Sequence, residues 1–284
     1  MSGILMALVD GSAYSESVCH HAAWIAGRTG AQVKLYHVID PRRARGQRDL
    51  SGSIRLGARS TLMEQLTALD EQHARLAQAQ GRAILEDAKA LIEAEGIENV
   101  ITRLRHDDIV ATVEAKEGVA DMILIGKRGE AAGPDSPHLG SNFERIVRAS
   151  HKPVFVANRA FRPINRVLIA YDGGVSAMKA VDYVARDPLF AGLEVIVASA
   201  GSDNAELRSA LDNARATLKA GGHEAETRIL KGQPEKALGD LAESGGIDLL
   251  VMGAYGHSRI RTLVIGSTTT AMIRTCKCPV VLMR

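Results

Sequence analysis

The sequence predicts an α/β protein made of one unit used twice, each unit a parallel sheet covered by helices. Short apolar runs of buried-strand length alternate with segments of helical periodicity along the chain. The same elements recur in the same order in the second half, the mark of an internal repeat. Each copy also carries a glycine-rich loop between an apolar strand and a helix start, the place where parallel sheets of this class take their ligands.

The first strand is Ile4 to Val9, and Asp10-Gly11-Ser12 ends it. A helix is expected from about Ser15 to Arg28, with Val18, Ala22, Ile25 and Ala26 at helical spacing and Gly30 as its stop. Gln32 to Ile39 is a second strand, closed by Asp40-Pro41. The pattern restarts at Arg166. Val167 to Tyr171 leads into Asp172-Gly173-Gly174, a helix runs through Met178, Val181, Val184 and Ala185, and Leu193 to Ala198 is the next strand. Ile125-Gly126-Lys127-Arg128-Gly129 answers Met252-Gly253-Ala254-Tyr255-Gly256. Leu139-Gly140-Ser141-Asn142 answers Ile265-Gly266-Ser267-Thr268, and Lys152-Pro153-Val154-Phe155-Val156 answers Cys278-Pro279-Val280-Val281-Leu282. The boundary falls in Asn158 to Asn165, which contains Pro163 and divides the chain into residues 1–158 and 164–284.

The halves differ in a helical insertion, about residues 42–92, carried by the first alone. It opens on the basic run Arg42 to Arg48. Leu62 to Ile92 then reads as one long helix or two, its face made of Leu62, Leu66, Leu69, Leu76, Ile84, Leu85, Ala88, Leu91 and Ile92. It is expected to cover the sheet or the other half; the alternative is a lid or partner-binding arm.

The second-half loop has the spacing G-x2-G-x9-G-S-T, from Gly253 through Gly256 and Gly266 to Ser267 and Thr268. Glycines let a backbone approach a ligand closely, and consecutive N–H groups in such a turn form a nest for an anion. The helix that begins at Ser267 or Thr268 adds free N–H groups and the positive end of its dipole. Hydroxyls of Ser267 and Thr268 are further donors, and His257, Arg259 and Arg261 add charge. The plainer alternative is a strand-to-helix connection with glycines at tight turns. The loop is neither a P-loop nor the G-x-G-x-x-G fingerprint.

Composition narrows the classes. The 284 residues are 46% hydrophobic and 24% charged, as in ordinary globular chains, and suggest about two domains. Aromatics at 4% and a net charge of +2 argue against single-stranded or duplex nucleic acid as a partner. No apolar run reaches membrane-spanning length, and the first ten residues read as a strand rather than a leader. Three cysteines make no disulfide framework, so a cytoplasmic location is expected. Cys276 and Cys278 flank Lys277, and packing is the role expected of them. No metal site is expected.

These features resemble the universal stress protein family: Asp-Gly after the first strand, G-x2-G-x9-G-[ST] after the fourth, and a closing Pro-Val strand. The likeness covers nearly the whole chain as two tandem copies and is least complete over the insertion. It implies, for each half, a Rossmann-like five-stranded parallel sheet of order 3-2-1-4-5. It also implies that the last strands, Val154 to Val156 and Val280 to Leu282, pair within the chain as a pseudo-dimer; a further homodimer is compatible. Family members with the intact loop bind ATP. Carried over by position, Gly253, Gly256, Gly266, Ser267 and Thr268 would hold the phosphates and ribose. Asp172 and Gly173 would border the adenosine, and Ala198 and Ser199 would meet adenine through the backbone. The first-half counterparts are Asp10, Gly11, Val38, Gly126, Gly129, Gly140, Ser141 and Asn142. There ten residues, including Glu130, Pro134, Asp135 and Pro137, separate Gly129 from Gly140. Acid beside phosphate is unfavourable and Pro offers no N–H.

The expected function is therefore a nucleotide-dependent sensor or regulator of the stress response, with ATP, with or without Mg²⁺, as ligand and a protein partner unidentified. No catalytic set is evident in the sequence. The alternatives are a weak ATPase, with Asp172 on Mg²⁺ and Arg259 or Arg261 on the transferring charge, and a module holding a non-nucleotide small ligand in the first half beside His37.

Overall fold

The computed structural model describes residues 3–40, 59–129, 140–254 and 267–284. The first half runs β1 (Ile4–Leu8), α1 (Ala13–Thr29), β2 (Gln32–Ile39), α2 (Arg59–Ala94), β3 (Val100–His106), α3 (Ile109–Lys116), β4 (Met122–Gly126), α4 (Ser141–Ala149) and β5 (Val154–Ala157). The second repeats it as β6 (Arg166–Ala170), α5 (Val175–Arg186), β7 (Glu194–Ala200), α6 (Ala205–Ala220), β8 (Ala225–Leu230), α7 (Pro234–Ser244), β9 (Leu249–Gly253), α8 (Ser267–Thr275) and β10 (Val280–Met283).

The ten strands of the described residues form one sheet of order β3-β2-β1-β4-β5-β10-β9-β6-β7-β8. Each half is parallel and has the expected 3-2-1-4-5 order. The halves join where β5 and β10 pair antiparallel, with Val280 opposite Val156, Val281 opposite Phe155 and Leu282 opposite Val154. These are the residues expected to pair.

The strands read as continuous apolar runs because helices bury both faces. Along β1, Leu5 and Ala7 enter the core beneath α1, α2, α5 and α6, whereas Met6 and Leu8 enter the opposite core with residues of α4 and α8. Local signals set the helix ends. Ser12 accepts from the Tyr14 N–H to start α1, and Gly30, at φ 69°, takes the left-handed turn that ends it.

The junction is tied by a pair of reciprocal caps. Lys127 Nζ donates to the carbonyls of Arg274 (3.2 Å) and Cys276 (2.9 Å), closing the C-terminus of α8 from the first half. Arg284 Nη1 donates to the carbonyls of Arg148 and Ser150, both at 3.1 Å, closing α4 from the second. A cation at a helix C-terminus meets both the free carbonyls and the negative end of the dipole.

Helix α2 is one helix of 36 residues. Its Leu85, Ala88 and Ile92 are buried, matching Leu211, Ala214 and Leu218 of α6. These last turns belong to the repeated unit. The earlier turns do not cover the sheet: Leu69 is 43% and Leu76 60% exposed. The expectation of a covering helix therefore holds only for its C-terminal part. Length is the reason, since 36 residues of helix span about 54 Å and an eight-residue strand about 26 Å.

Candidate functional site

The turn after β6 begins the second-half site. Register sets Ala170 beside both Ala198 of β7 and Met252 of β9. Asp172, Ser199 and Gly253 therefore emerge at one end of the sheet. The Tyr171 N–H donates to the Ala198 carbonyl at 2.9 Å, carrying the pairing one residue past β6. Asp172 Oδ1 accepts from the Gly174 N–H at 2.8 Å, and Gly173 between them has φ 75°. This aspartate-and-glycine turn delivers the chain into α5, whose cap residue Gly174 has no side chain to occupy the first N–H groups. Burial, with the Asp172 carboxylate second, raises the Tyr171 phenol above its usual range. Ala198 and Ser199 are buried.

Gly253 is pressed against the first turn of α5. A Cβ there would lie 2.8 Å from Ser176 Cβ and 3.2 Å from the Ala177 nitrogen, so no larger residue fits without movement. Thr269 Oγ1 donates to the Gly253 carbonyl at 3.3 Å and ties α8 to the end of β9. Thr268 is half-buried in the first turn of α8. Gly256, Gly266 and the loop cations His257, Arg259 and Arg261 lie outside the described residues. Ser267 is described only as the first residue of α8.

The first half assembles the matching set. Asp10 Oδ1 accepts from the Ser12 N–H and the Ser15 hydroxyl, both at 3.0 Å, and Gly11 has φ 78°. A Cβ on Gly126 would lie 2.7 Å from Tyr14 Cβ, one on Gly129 2.8 Å from Asp10 Oδ2, and one on Gly140 3.4 Å from the Gly129 nitrogen. Asp10, Gly126, Gly129 and Gly140 are thus brought together. Ser141 and Asn142 open α4, with Asn142 Oδ1 accepting from Arg145 at 3.5 Å. Residues 130–139 and the Arg42 to Arg48 run lie outside the described residues.

Pairing register refines one correspondence. Leu8 lies opposite Tyr36, and Ala170 opposite Ala198. The first-half counterparts of Ala198 and Ser199 are therefore Tyr36 and His37, with Val38 one place further on. His37 Nδ1 is 2.9 Å from the Val9 carbonyl.

Among the described residues the two sites differ at their aspartate-glycine turns. A Cβ on Gly11 would sit 2.8 Å from Ile84 Cδ1 of α2, whereas one on Gly173 would meet nothing within 4 Å among the described residues. The matched burial of Leu85 with Leu211 and Ala88 with Ala214 makes Ala210 of α6 the counterpart of Ile84. Nearby, α2 presses its Gly81 onto the first-half pair His37 and Leu104, a Cβ there falling 2.8 and 2.7 Å from their side chains. Sequence reading placed Ile84 on an apolar helix face and missed that this face reaches Gly11. The available signal was the repeat itself, in which isoleucine answers alanine.

Among the described residues no group of three or more His, Cys, Asp or Glu side chains is placed to hold a metal ion. Among the same residues no helix is long and apolar enough to cross a membrane.

The model of the universal stress protein family matches residues 1–158 and again 163–284. Universal stress protein Slr1230 of Synechocystis sp. is 37% identical over 288 residues, covering 100% of both chains. The crystal structure of a universal stress protein from Archaeoglobus fulgidus superposes with a TM-score of 0.74, covering 100% of this chain and 97% of its own at 22% identity. A universal stress protein solved in complex with cAMP is 30% identical and covers 43% of this chain and 98% of its own, with a TM-score of 0.38. Two family matches in tandem, a full-length relative and the 3-2-1-4-5 order in each half lead to one conclusion: this chain belongs to the universal stress protein family.

Proposed function

We propose that residues 1–158 and 164–284 act as two domains, and that the second binds an adenine nucleotide, ATP with or without Mg²⁺, to act as a cytoplasmic nucleotide-dependent regulator in the stress response. The observation that carries this reading is the contrast at the two turns. Among the described residues Gly173 meets nothing within 4 Å, whereas Gly11 is covered by Ile84. The Gly253 cradle against α5 supports it, because it brings backbone rather than side chain to the ligand end of β9.

In this reading Asp172 and Gly173 border the adenosine, and Ala198 and Ser199 meet adenine through their backbone. Gly253, Gly256, Gly266, Ser267 and Thr268 hold the phosphates and ribose. The glycines offer N–H groups, and α8 offers the positive end of its dipole. The first half binds nucleotide weakly or takes a smaller ligand, because Ile84 and His37 fill space that Ala210 and Ser199 leave.

The test is the nucleotide content of freshly purified protein, released by denaturation and quantified by chromatography and mass spectrometry. About one ATP per chain is expected, on the one-site reading of the anion-binding loop, and Gly266→Val should abolish it while leaving the circular dichroism spectrum unchanged. Two equivalents per chain would show that the first half binds equally well. No nucleotide, and none taken up on addition of ATP, would overturn the reading.

A further inference from the structure

The first half reaches across the seam to the helix that opens the second-half site. Lys127 follows the end of β4, between Gly126 and Gly129 of the first-half loop. Its backbone N–H donates to the Ala157 carbonyl at 3.0 Å and continues the pairing of β4 with β5. Its half-buried side chain crosses to the other half. There Nζ donates to the carbonyls of Arg274 at 3.2 Å and Cys276 at 2.9 Å. These lie in the last turn of α8 and the bend behind it, where carbonyls run out of intrahelical N–H partners. Asn158 Nδ2, also from the first half, donates to the Lys277 carbonyl of the same bend at 2.8 Å. Two first-half side chains therefore grip the C-terminal end of α8.

Helix α8 has nine residues and spans only about 13 Å, so a hold on one end sets the place of the other. Its first turn carries Thr268 and Thr269, and Thr269 Oγ1 donates to the Gly253 carbonyl at 3.3 Å. One end of α8 thus meets the end of β9, and the other rests on Lys127. The repeat puts Ala254 in the place of Lys127. The Ala254 N–H makes the matching backbone bond, to the Met283 carbonyl at 2.7 Å, but its methyl group has nothing to donate. The C-terminus of α4 is closed instead by Arg284, which follows β10. The ammonium that leaves a glycine loop for the partner helix therefore belongs to the first half. Burial lowers the pKa of Lys127, and the two carbonyls stand in for the water that burial removes.

We propose that Lys127 is a positioning residue of the second-half nucleotide site, supplied by the first half, which fixes α8 and with it the helix N-terminus that faces the phosphates. This rests on the nucleotide reading above. Lys127 acts through α8, so its effect falls on the phosphate end of the ligand. Asp172, Gly173, Ala198 and Ser199, which border the adenosine, follow or belong to β6 and β7, and the pairing of those strands does not pass through Lys127. Removing the ammonium takes its donor from the end of α8 and its charge from the negative end of the dipole. The helix can then tilt, and its N-terminal N–H groups lose their aim.

The full chain is titrated calorimetrically with ATP and, separately, with adenosine, and Gly266→Val identifies the signal of the second site. Lys127→Met is expected to weaken ATP binding about fivefold, the lower end for coupling between distant sites, and to leave adenosine binding unchanged. Lys127→Arg, which keeps a donor for the carbonyls, should restore ATP affinity. Equal ATP affinity in Lys127→Met and the wild type would overturn the proposal. So would an equal loss for ATP and adenosine, the result of a general loosening of the fold. If Lys127→Met folds poorly, the wild type decides. ATP but not adenosine should slow hydrogen exchange at the amides of Lys127 and Cys276, which donate to the carbonyls of Ala157 and Met272. Slowing at Cys276 with none at Lys127 would overturn the proposal equally. A wild type that binds no ATP would overturn the nucleotide reading and this proposal with it, and the wild-type titration alone identifies that outcome.

Discussion

His21 shows how the fold sets the chemistry of a single side chain. It is completely buried on α1, with Nδ1 2.7 Å from the Ser17 carbonyl. Its ring centroid lies 5.0 Å from those of Phe155 and Phe161, the second edge-on. Nδ1 therefore carries the proton, and the buried Nε2 has no partner among the described residues. Protonating Nε2 would place an unpaired charge in the core. Burial lowers the pKa to about 4 against the smaller raising effect of the Ser17 carbonyl, with the neighbouring His20 lowering it further. The unfolded chain then binds the extra proton more readily than the native protein. Stability from this residue is complete above the unfolded value near 6.5 and is lost as pH falls from there toward 4. The full loss is on the order of 3 kcal/mol. Denaturant titrations at pH 7 and pH 5 should show lower stability at pH 5 in the wild type and a smaller difference in His21→Gln. Equal differences in both proteins would refute the assignment.

Ile84 decides the comparison between the two halves because it is carried by a helix that both share. The last turns of α2 and the body of α6 bury matching residues, so exchanging one side chain should transfer the property. In Ala210→Ile the added atoms would cover Gly173 as Ile84 covers Gly11, and ATP affinity should fall about tenfold, ~1.4 kcal/mol, as expected when a ligand must displace packed methylenes. Ile84→Ala should instead raise binding in the first half. Titration calorimetry on the two variants checks both, and an unchanged affinity in Ala210→Ile would remove Ile84 as the reason for the asymmetry. Element order was legible in the sequence because the cues were local: apolar runs for β1, β2 and β6, Asp10-Gly11 and Asp172-Gly173 at strand ends, Gly30 after α1. Three things were not legible. Helical periodicity gives Leu69 and Leu76 the same status as Leu85, because it records a face and not whether the sheet reaches that far. The counterpart of Ser199 depends on β1–β2 register, which a one-residue slip changes and spacing alone does not fix; the register puts His37 there, with Val38 one place further on. The contact of Ile84 with Gly11 joins residues 73 positions apart, beyond the reach of any local pattern.

The antiparallel pairing of β5 with β10 turns two repeated units into one continuous sheet with no free edge at its centre. Phe155 lies at that seam, 0% exposed, opposite Val281 and against His21. Its neighbours come from β4, β10 and α1, so its packing belongs to both halves at once. Lys127 and Arg284 add a tie in each direction, each cation closing a helix of the other half. Removing the seam contacts should therefore not release one half and spare the other. Phe155→Ala is expected to cost about 3–5 kcal/mol, the range for deleting a buried aromatic ring. It should lower the thermal midpoint of the whole molecule while keeping a single calorimetric transition. The alternative is two independent units that merely touch, in which case the scan would split, with the transition of residues 164–284 left near its wild-type temperature. Ligand sharpens the distinction. ATP bound only in the second half stabilises by mass action whatever unfolds together with it. One continuous sheet predicts that ATP raises the temperature at which amides of β1 and β2, in the other half, lose hydrogen-exchange protection. If protection of β6 and β7 rises with ATP while that of β1 and β2 stays unchanged, the halves unfold separately and the seam is a contact surface rather than a shared core.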